Sequence, residues 1–218
     1  MRYMKVGNTD LEVSKIGLGT WAIGGGSWWG DNDDLESIRT IHSALDLGIN
    51  LVDTAPVYGM GHSEEVVGRA IADRRNKVIL STKCGLMFDR TEGSYYFSRD
   101  GKDVYKNLTK GAIIDSVEQS LKRLHTDYID ILFTHWQSVE PFMVPVEETM
   151  DALMTLKKQG KIRVIGGSNM SPWHIEEYIK YGELDIIQEK YSLIDKRVEK
   201  EILPCSLKHQ VTFQAYSP

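Results

Sequence analysis

Short apolar runs alternate with amphipathic helical stretches along almost the whole chain, and this alternation limits the fold more than any other feature. After an N-terminal piece over residues 3–13, with Gly7-Asn8 placed for a hairpin turn, residues 16–21 read as a strand. Leu35, Ile38, Ile41 and Leu45 recur at helical spacing behind an Asp-rich start that suits a helix N-terminus. Residues 49–52 form a strand running into Asp53, and Ser63 is placed to cap a helix whose apolar face is Val66, Val67, Ala70 and Ile71. Residues 77–82 run into Lys83. A helix from Thr109 carries Ile113, Ile114, Val117, Leu121 and Leu124 on one stripe, and residues 128–134 run into His135. Pro145 opens the next helix and Gly160 closes it. Strands follow at 162–167, at 184–187 running into Gln188, and at 211–215, with Ser171-Pro172 as an N-cap and first helical residue between the first two.

Such a β-α alternation with short joints specifies a parallel sheet with right-handed crossovers, and eight units close it into a (β/α)8 barrel. Only seven strands are present, in 218 residues, where a closed barrel typically takes about 250. The expectation is a single barrel domain over residues 1–218, with strand eight and the last helices missing. Two joints are unusual. The stretch from Cys84 to Leu108 is about 25 residues, against the usual connection of about 2–6. A second insertion, rich in Gly and Trp, runs from Ala22 to Asn32. Both follow strand C-termini, the end where parallel barrels build their sites.

Lys+Arg 26 against Asp+Glu 31 gives a net charge of −5, with no run of five like charges, so a basic groove for nucleic acid is absent. No stretch approaches the ~18 continuous apolar residues of a membrane span, and the start lacks a signal-peptide core; the reading is a cytoplasmic chain with neither membrane nor nucleic-acid partner. Cys84 and Cys205 lie far apart, so no disulfide framework or metal knuckle is indicated, and no metal is expected.

The chemistry lies where apolar strands end in ionisable residues: Val52 into Asp53, Thr82 into Lys83, Thr134 into His135. On parallel strands these three share one mouth, and Tyr58 sits on the loop after Asp53. A lysine beside the phenol favours phenolate and is expected to lower the Tyr58 pKa, while Asp53 keeps Lys83 charged. A tuned tyrosine is a proton donor. Gly17-Leu18-Gly19-Thr20-Trp21-Ala22 matches a dinucleotide fingerprint by letters, but Gly24-Gly25-Gly26 follows where a helix must begin, so that reading fails. P-loop, zinc-protease and serine-nucleophile motifs are absent. The later strands end differently, in Ser168-Asn169, Gln188 and Tyr216-Ser217. These amides and hydroxyls suit a primary carboxamide, and the tyrosine face suits a flat heteroaromatic ring.

Taken in order, Gly17-Leu18-Gly19-Thr20, Leu51-Val52-Asp53-Thr54-Ala55 with Tyr58-Gly59 and Ser63-Glu64, Thr82-Lys83, Leu121-Lys122-Arg123-Leu124 with Asp127-Tyr128-Ile129-Asp130, His135, Gly166-Gly167-Ser168-Asn169 and Ala215-Tyr216-Ser217-Pro218 resemble the aldo-keto reductases. The resemblance covers essentially the whole chain. It implies an α/β TIM barrel that moves hydride between a nicotinamide cofactor, usually NADPH, and a carbonyl carbon. Asp53, Tyr58, Lys83 and His135 match the family's catalytic tetrad, with Tyr58 as general acid. Thr20, Trp21, Asp53, Ser168, Asn169, Gln188, Tyr216 and Ser217 are the implied cofactor contacts. NAD remains open, because the family's 2′-phosphate-binding segments lie beyond residue 218. The expected substrate is a small aldehyde, ketose or sugar, in a pocket walled by Trp21, Trp28, Trp29, Tyr58 and Trp136. Tyr95, Tyr96 and Phe97 are further candidates, with Asp31, Arg90 and Arg99 as polar edges. The alternatives are a non-catalytic sensor barrel that binds the cofactor, and a cofactor-free isomerase or lyase. Oligomeric state is open.

Overall fold

A computed structural model describes residues 1–218. The chain opens with an antiparallel hairpin, β1 (Tyr3–Lys5) and β2 (Glu12–Ser14), in register Tyr3↔Ser14. The elements that follow are β3 (Leu18–Gly19), α1 (Gly26–Trp29), α2 (Asp34–Asp46), β4 (Leu51–Asp53), α3 (His62–Ile71), β5 (Ile79–Cys84), β6 (Leu86–Met87), β7 (Ser94–Arg99), β8 (Lys102–Lys106), α4 (Lys110–Arg123), β9 (Ile129–Thr134), α5 (Val146–Lys158), β10 (Ile162–Ser168), α6 (Pro172–Tyr181), β11 (Ile186–Lys190), α7 (Ile202–Lys208) and β12 (Thr212–Tyr216).

Seven strands form one curled parallel sheet in the order β3-β4-β5-β9-β10-β11-β12. This is the expected barrel architecture, with seven strands rather than eight. β3 and β12 are its two edges, and a cleft of ≈ 400 Å³ lined by residues from both separates them. Side chains on a strand alternate between faces. Leu51, Ile131, Phe133, Val164 and Ile186 take the concave face, where Val6, Leu11 and Val13 of the N-terminal segment pack on them and fill the barrel floor. Val52, Leu80, Leu132, Ile165 and Ile187 take the other face and join the helices in the larger core. The same alternation, continued to the strand C-termini, brings Asp53, Lys83, Ser168, Gln188 and Tyr216 to the concave face. No helix is long and apolar enough to cross a membrane.

Helix ends follow the sequence signals. Asp33 accepts from the Leu35 and Glu36 amides, Thr109 from Ala112, and Ser171 with His174 closes a capping box with Pro172 at the first turn. Ser63 departs from its expected role: the N-cap is Gly61, two residues earlier, and the buried Ser63 hydroxyl donates to the Thr20 carbonyl instead. The first strand shrinks to Leu18–Gly19, because the chain turns into a short 3-10 helix over Ala22–Gly24. The 84–108 joint is ordered: β6, β8 and β7 form an antiparallel sheet over the barrel mouth. Helix α7, between the last two strands, has no clear apolar stripe to announce it.

Candidate active site

Lys83 is the most buried charge at the barrel mouth, 1% exposed. Its ammonium donates to Asp53 Oδ1 at 2.6 Å and to the Thr54 carbonyl at 2.9 Å. Asp53 also accepts from Ser81 Oγ at 2.8 Å and from Gln188 Nε2 at 2.9 Å. The carboxylate is therefore held by three donors, two from the neighbouring strand β5 and one from β11 across the barrel. Asp53 meets Ser81 in the β4–β5 register, which explains the serine. Above the lysine lies Tyr58, its ring centroid 5.0 Å from Nζ. The His135 ring meets Tyr58 edge to face at 6.0 Å.

Backbone geometry places Tyr58. Gly59 adopts φ 61°, and a Cβ there would fall 2.2 Å from the Gly24 carbonyl oxygen, while a Cβ on Gly24 would fall 2.7 Å from the Gly59 nitrogen. Only a glycine at each position lets the two backbones touch. The contact locks the tryptophan loop against the tyrosine loop, and Trp21 comes within 6.2 Å of the Tyr58 ring.

Burial dominates the electrostatics. It pushes the Tyr58 phenol above its ordinary value, with the Lys83 cation pulling the other way and Asp53 adding to the rise. The sequence-based expectation of a lowered phenol is thus overturned, since desolvation outweighs a cation whose charge Asp53 largely answers. Lys83 itself is raised: burial disfavours its charge, and Asp53 and Tyr58 more than compensate. His135 is held well below its ordinary value by burial and by the nearby Lys83 cation, so its ring is neutral. The site can thus offer a protonated phenol beside a fixed cation and a neutral imidazole.

The later strands supply a connected polar wall. Ser168 Oγ donates to the Gln188 carbonyl at 2.7 Å. Asn169, at φ 55°, donates from Nδ2 to the His135 carbonyl at 2.9 Å and to Ser168 Oγ at 3.1 Å. Tyr216 donates to Asn169 Oδ1 at 2.8 Å. Both Asn169 amide hydrogens are thus used within the protein. Gln188 keeps one Nε2 hydrogen and its Oε1 free, a donor and an acceptor side by side.

Both groups border one cavity of ≈ 530 Å³. Of the expected catalytic, cofactor and tryptophan-wall residues all but Lys83, which lies beneath Tyr58, line it: Thr20, Trp21, Trp28, Trp29, Asp53, Tyr58, His135, Trp136, Ser168, Asn169, Gln188, Tyr216 and Ser217. Thr20 has its hydroxyl hydrogen committed to the Asp53 carbonyl at 2.9 Å, so it braces the strands as well as lining the wall. Trp28 and Trp29 each meet Trp21 edge to face at 5.3 Å, and Tyr96 packs against Trp136 at 5.4 Å. Tyr96 and Phe97 line the cavity; Tyr95 turns away to Tyr105. The suggested polar edges are not there. Arg90 pairs with Asp89 and Asp115, Arg99 binds the Ser27 carbonyl behind Trp28, and Asp31 is not a wall residue. Val57 and Leu86 also line it, and sequence reasoning missed both because a single apolar residue in a turn or in a two-residue strand carries no periodic signal. It also missed Lys106, whose ammonium sits 4.4 Å from the Tyr96 ring and 4.7 Å from the Trp136 ring.

The model of the "Aldo/keto reductase family" matches residues 15–218. The chain is 49% identical over 220 residues to "NADH-specific methylglyoxal reductase" of Escherichia coli (strain K12), covering 100% of this chain and 67% of that protein. It is 41% identical to "Aldo-keto reductase YhdN" of Bacillus subtilis (strain 168), covering 99% of this chain and 61% of that one. The structure of the glycerol dehydrogenase AKR11B4 from Gluconobacter oxydans superposes with a TM-score of 0.86 at 40% identity, over 98% of this chain and 62% of the other. The chain thus spans 61–67% of the length of these proteins.

Proposed function

The chain belongs to the aldo/keto reductase family, and from that premise we propose that it reduces small aldehydes and ketones with a nicotinamide dinucleotide as hydride donor. One observation carries this reading above the others. A protonated, desolvated phenol, a buried Lys83–Asp53 pair and a neutral imidazole share one cavity with a carboxamide-and-ring wall.

The cavity offers groups suited to the nicotinamide end of such a cofactor. A primary carboxamide needs one acceptor and one donor in a plane, which is what Gln188 leaves free beyond its bond to Asp53. The Tyr216 ring borders the same space, held in place by its hydroxyl's bond to Asn169. A volume of ≈ 530 Å³ lies within the range of about 300–1,000 Å³ usual for small-molecule sites. Bound there, the cofactor supplies the hydride that reduces the carbonyl carbon.

This chain's own residues handle the proton. As charge builds on the substrate oxygen, Tyr58 gives it the phenolic proton, and the fixed Lys83 cation stabilises the phenolate left behind. Asp53 keeps Lys83 charged and aimed. His135, neutral across the physiological range, donates a hydrogen bond to the carbonyl oxygen without competing as an acid. A raised phenol suits the reductive direction, since Tyr58 stays protonated until it acts. The aromatic wall excludes water and, in the proposal, sets the substrate class: small carbonyls that fit among Trp21, Trp28, Trp29 and Trp136.

The named relative is NADH-specific, whereas the resemblance implies NADPH. The residues assigned to the cofactor contact only the nicotinamide end, which is identical in the two molecules. The test is to add NADH and NADPH separately, following tryptophan quenching for binding and cofactor absorbance for turnover of methylglyoxal and a panel of small aldehydes. Binding with turnover of at least one aldehyde supports the proposal. Binding without turnover leaves the non-catalytic sensor, and no binding ends both readings.

A further inference from the structure

The outer face of the barrel carries a cluster that the carbonyl chemistry does not use. Cys205 Sγ, a ring nitrogen of His209 and a Glu176 carboxylate oxygen all lie within 4.8 Å of one another. Cys205 and His209 are four residues apart at the end of α7, so they share one face. Glu176 reaches across from α6. We propose that Glu176, Cys205 and His209 form a binding site for a divalent metal ion of borderline softness, of the Zn²⁺ type, clamping α6 to α7.

Three observations support the assignment. The donor set is a thiol, an imidazole and a carboxylate, the ligand types that Zn²⁺ takes in three-ligand sites with a fourth, open position. Secondly, His209 Nε2 is buried yet has no hydrogen-bond partner. Its nearest charge is Glu176 Oε1 at 3.8 Å, too far to satisfy it. A buried ring nitrogen without a partner is costly, and a metal bond would supply one. Thirdly, the spacing suits coordination: tetrahedral bonds of about 2.0–2.3 Å put ligand atoms roughly 3.3–3.8 Å apart. The exposed Glu176 side chain closes the difference by rotation, and the four-residue spacing keeps Cys205 and His209 on one face.

The free Cys205 thiol is not itself a poised nucleophile. Burial and the Glu176 carboxylate raise it, against the pull of Lys208. Metal binding therefore breaks the S–H bond, forms the S–metal bond and releases one proton to solvent. Lys208 is the internal competitor, its ammonium 3.3 Å from Glu176 Oε1. The clamp would join the helix that follows Ser168 and Asn169 to the helix that precedes Tyr216. It would brace, from outside, β10 and β12, two of the three strands that carry the polar wall.

The experiment titrates the chelator-treated, reduced protein with Co²⁺ alone and reads the visible ligand-field bands and the near-ultraviolet thiolate charge-transfer band. The expected result is one Co²⁺ per chain with a thiolate band, and its displacement by Zn²⁺. Cys205→Ser removes that band, His209→Ala weakens binding, and Lys208→Met tightens it by freeing Glu176. Cys84, buried inside the barrel wall, is the control, and circular dichroism reports whether each variant is folded. Absence of a thiolate band at millimolar Co²⁺ in the folded wild-type chain overturns the proposal. So does a band that survives Cys205→Ser.

Discussion

Asp53→Asn is the most informative single change, because one carboxylate is hydrogen-bonded to both halves of the site. Its oxygens take a 2.6 Å bond from Lys83, a 2.8 Å bond from Ser81 and a 2.9 Å bond from Gln188. An asparagine oxygen accepts at most two of these, and its amide group turns two hydrogens toward groups that are themselves donors. Lys83 is left as a buried cation without a counter-charge. Breaking one partner of a buried ion pair costs about 3–5 kcal/mol, and a single unsatisfied donor about 1–3 kcal/mol. The expected loss in urea unfolding is therefore about 3–5 kcal/mol, less whatever Lys83 recovers by giving up its proton. The same change alters catalysis in a direction that can be worked out. Asp53 raises the Tyr58 phenol and also raises Lys83. Without its charge both groups give up their protons at lower pH. Reduction needs the Tyr58 proton and the Lys83 charge, so the alkaline limb of the rate profile moves down the pH scale. The cofactor KM rises as well, because Gln188 loses its anchor. The assay pairs urea titration with kcat and KM for cofactor across the alkaline range. A folded variant within ~1 kcal/mol of wild type, with an unmoved alkaline limb, refutes the reasoning.

Tyr58→Phe removes only the phenolic proton, so turnover falls by about 10²–10⁴-fold while cofactor quenching is unchanged; surviving turnover would remove Tyr58 from its role. Glu189→Gln tests a carboxyl next to the polar wall, which accepts the Met170 amide at 2.7 Å and is pushed by burial from 4.5 to about 7. A carboxyl raised on folding contributes stability that is present below pH 4.5 and lost as pH rises through about 7, here about 3 kcal/mol in all. Glutamine keeps the acceptor and does not ionise, so the variant gains on wild type in thermal melts between about pH 5 and about pH 8; parallel curves contradict this. Gly59→Ala drives a methyl into the Gly24 carbonyl at 2.2 Å and adds strain at φ 61°. A loss of about 1–3 kcal/mol in urea unfolding is expected, with turnover falling further than cofactor affinity as Tyr58 shifts, and unchanged melts argue against a close contact there.

How far the sequence reaches depends on the range over which its physics acts. Strand ends are legible because the period of two, counted along each apolar run, fixes which terminal residue faces inward. Spacing alone therefore puts Asp53, Lys83 and Gln188 on one face. Caps at Asp33, Thr109 and Ser171 are legible because they act within three residues. Ser63 has the spacing of such a cap but lies where Thr20 approaches from 43 residues away, and a buried hydroxyl follows the partner that burial gives it. The Tyr58 phenol departs from expectation for the same reason. Adjacency to Lys83 is inferable from spacing, whereas the degree of desolvation depends on Trp21, Trp136 and the β6-β8-β7 sheet closing over the mouth, none of which lies near in sequence. The bond between Gln188 and Asp53 spans 135 residues. Sequence reasoning assigns these two residues to separate tasks, one to the proton and the other to the carboxamide. The carboxylate that holds Lys83 charged also orients the amide proposed to hold the cofactor, so a change in Lys83 protonation is felt at the carboxamide wall through a single side chain. For that reason Asp53→Asn is expected to raise the cofactor KM and move the alkaline limb together, whereas Tyr58→Phe, which leaves all three Asp53 bonds intact, is expected to lower turnover alone.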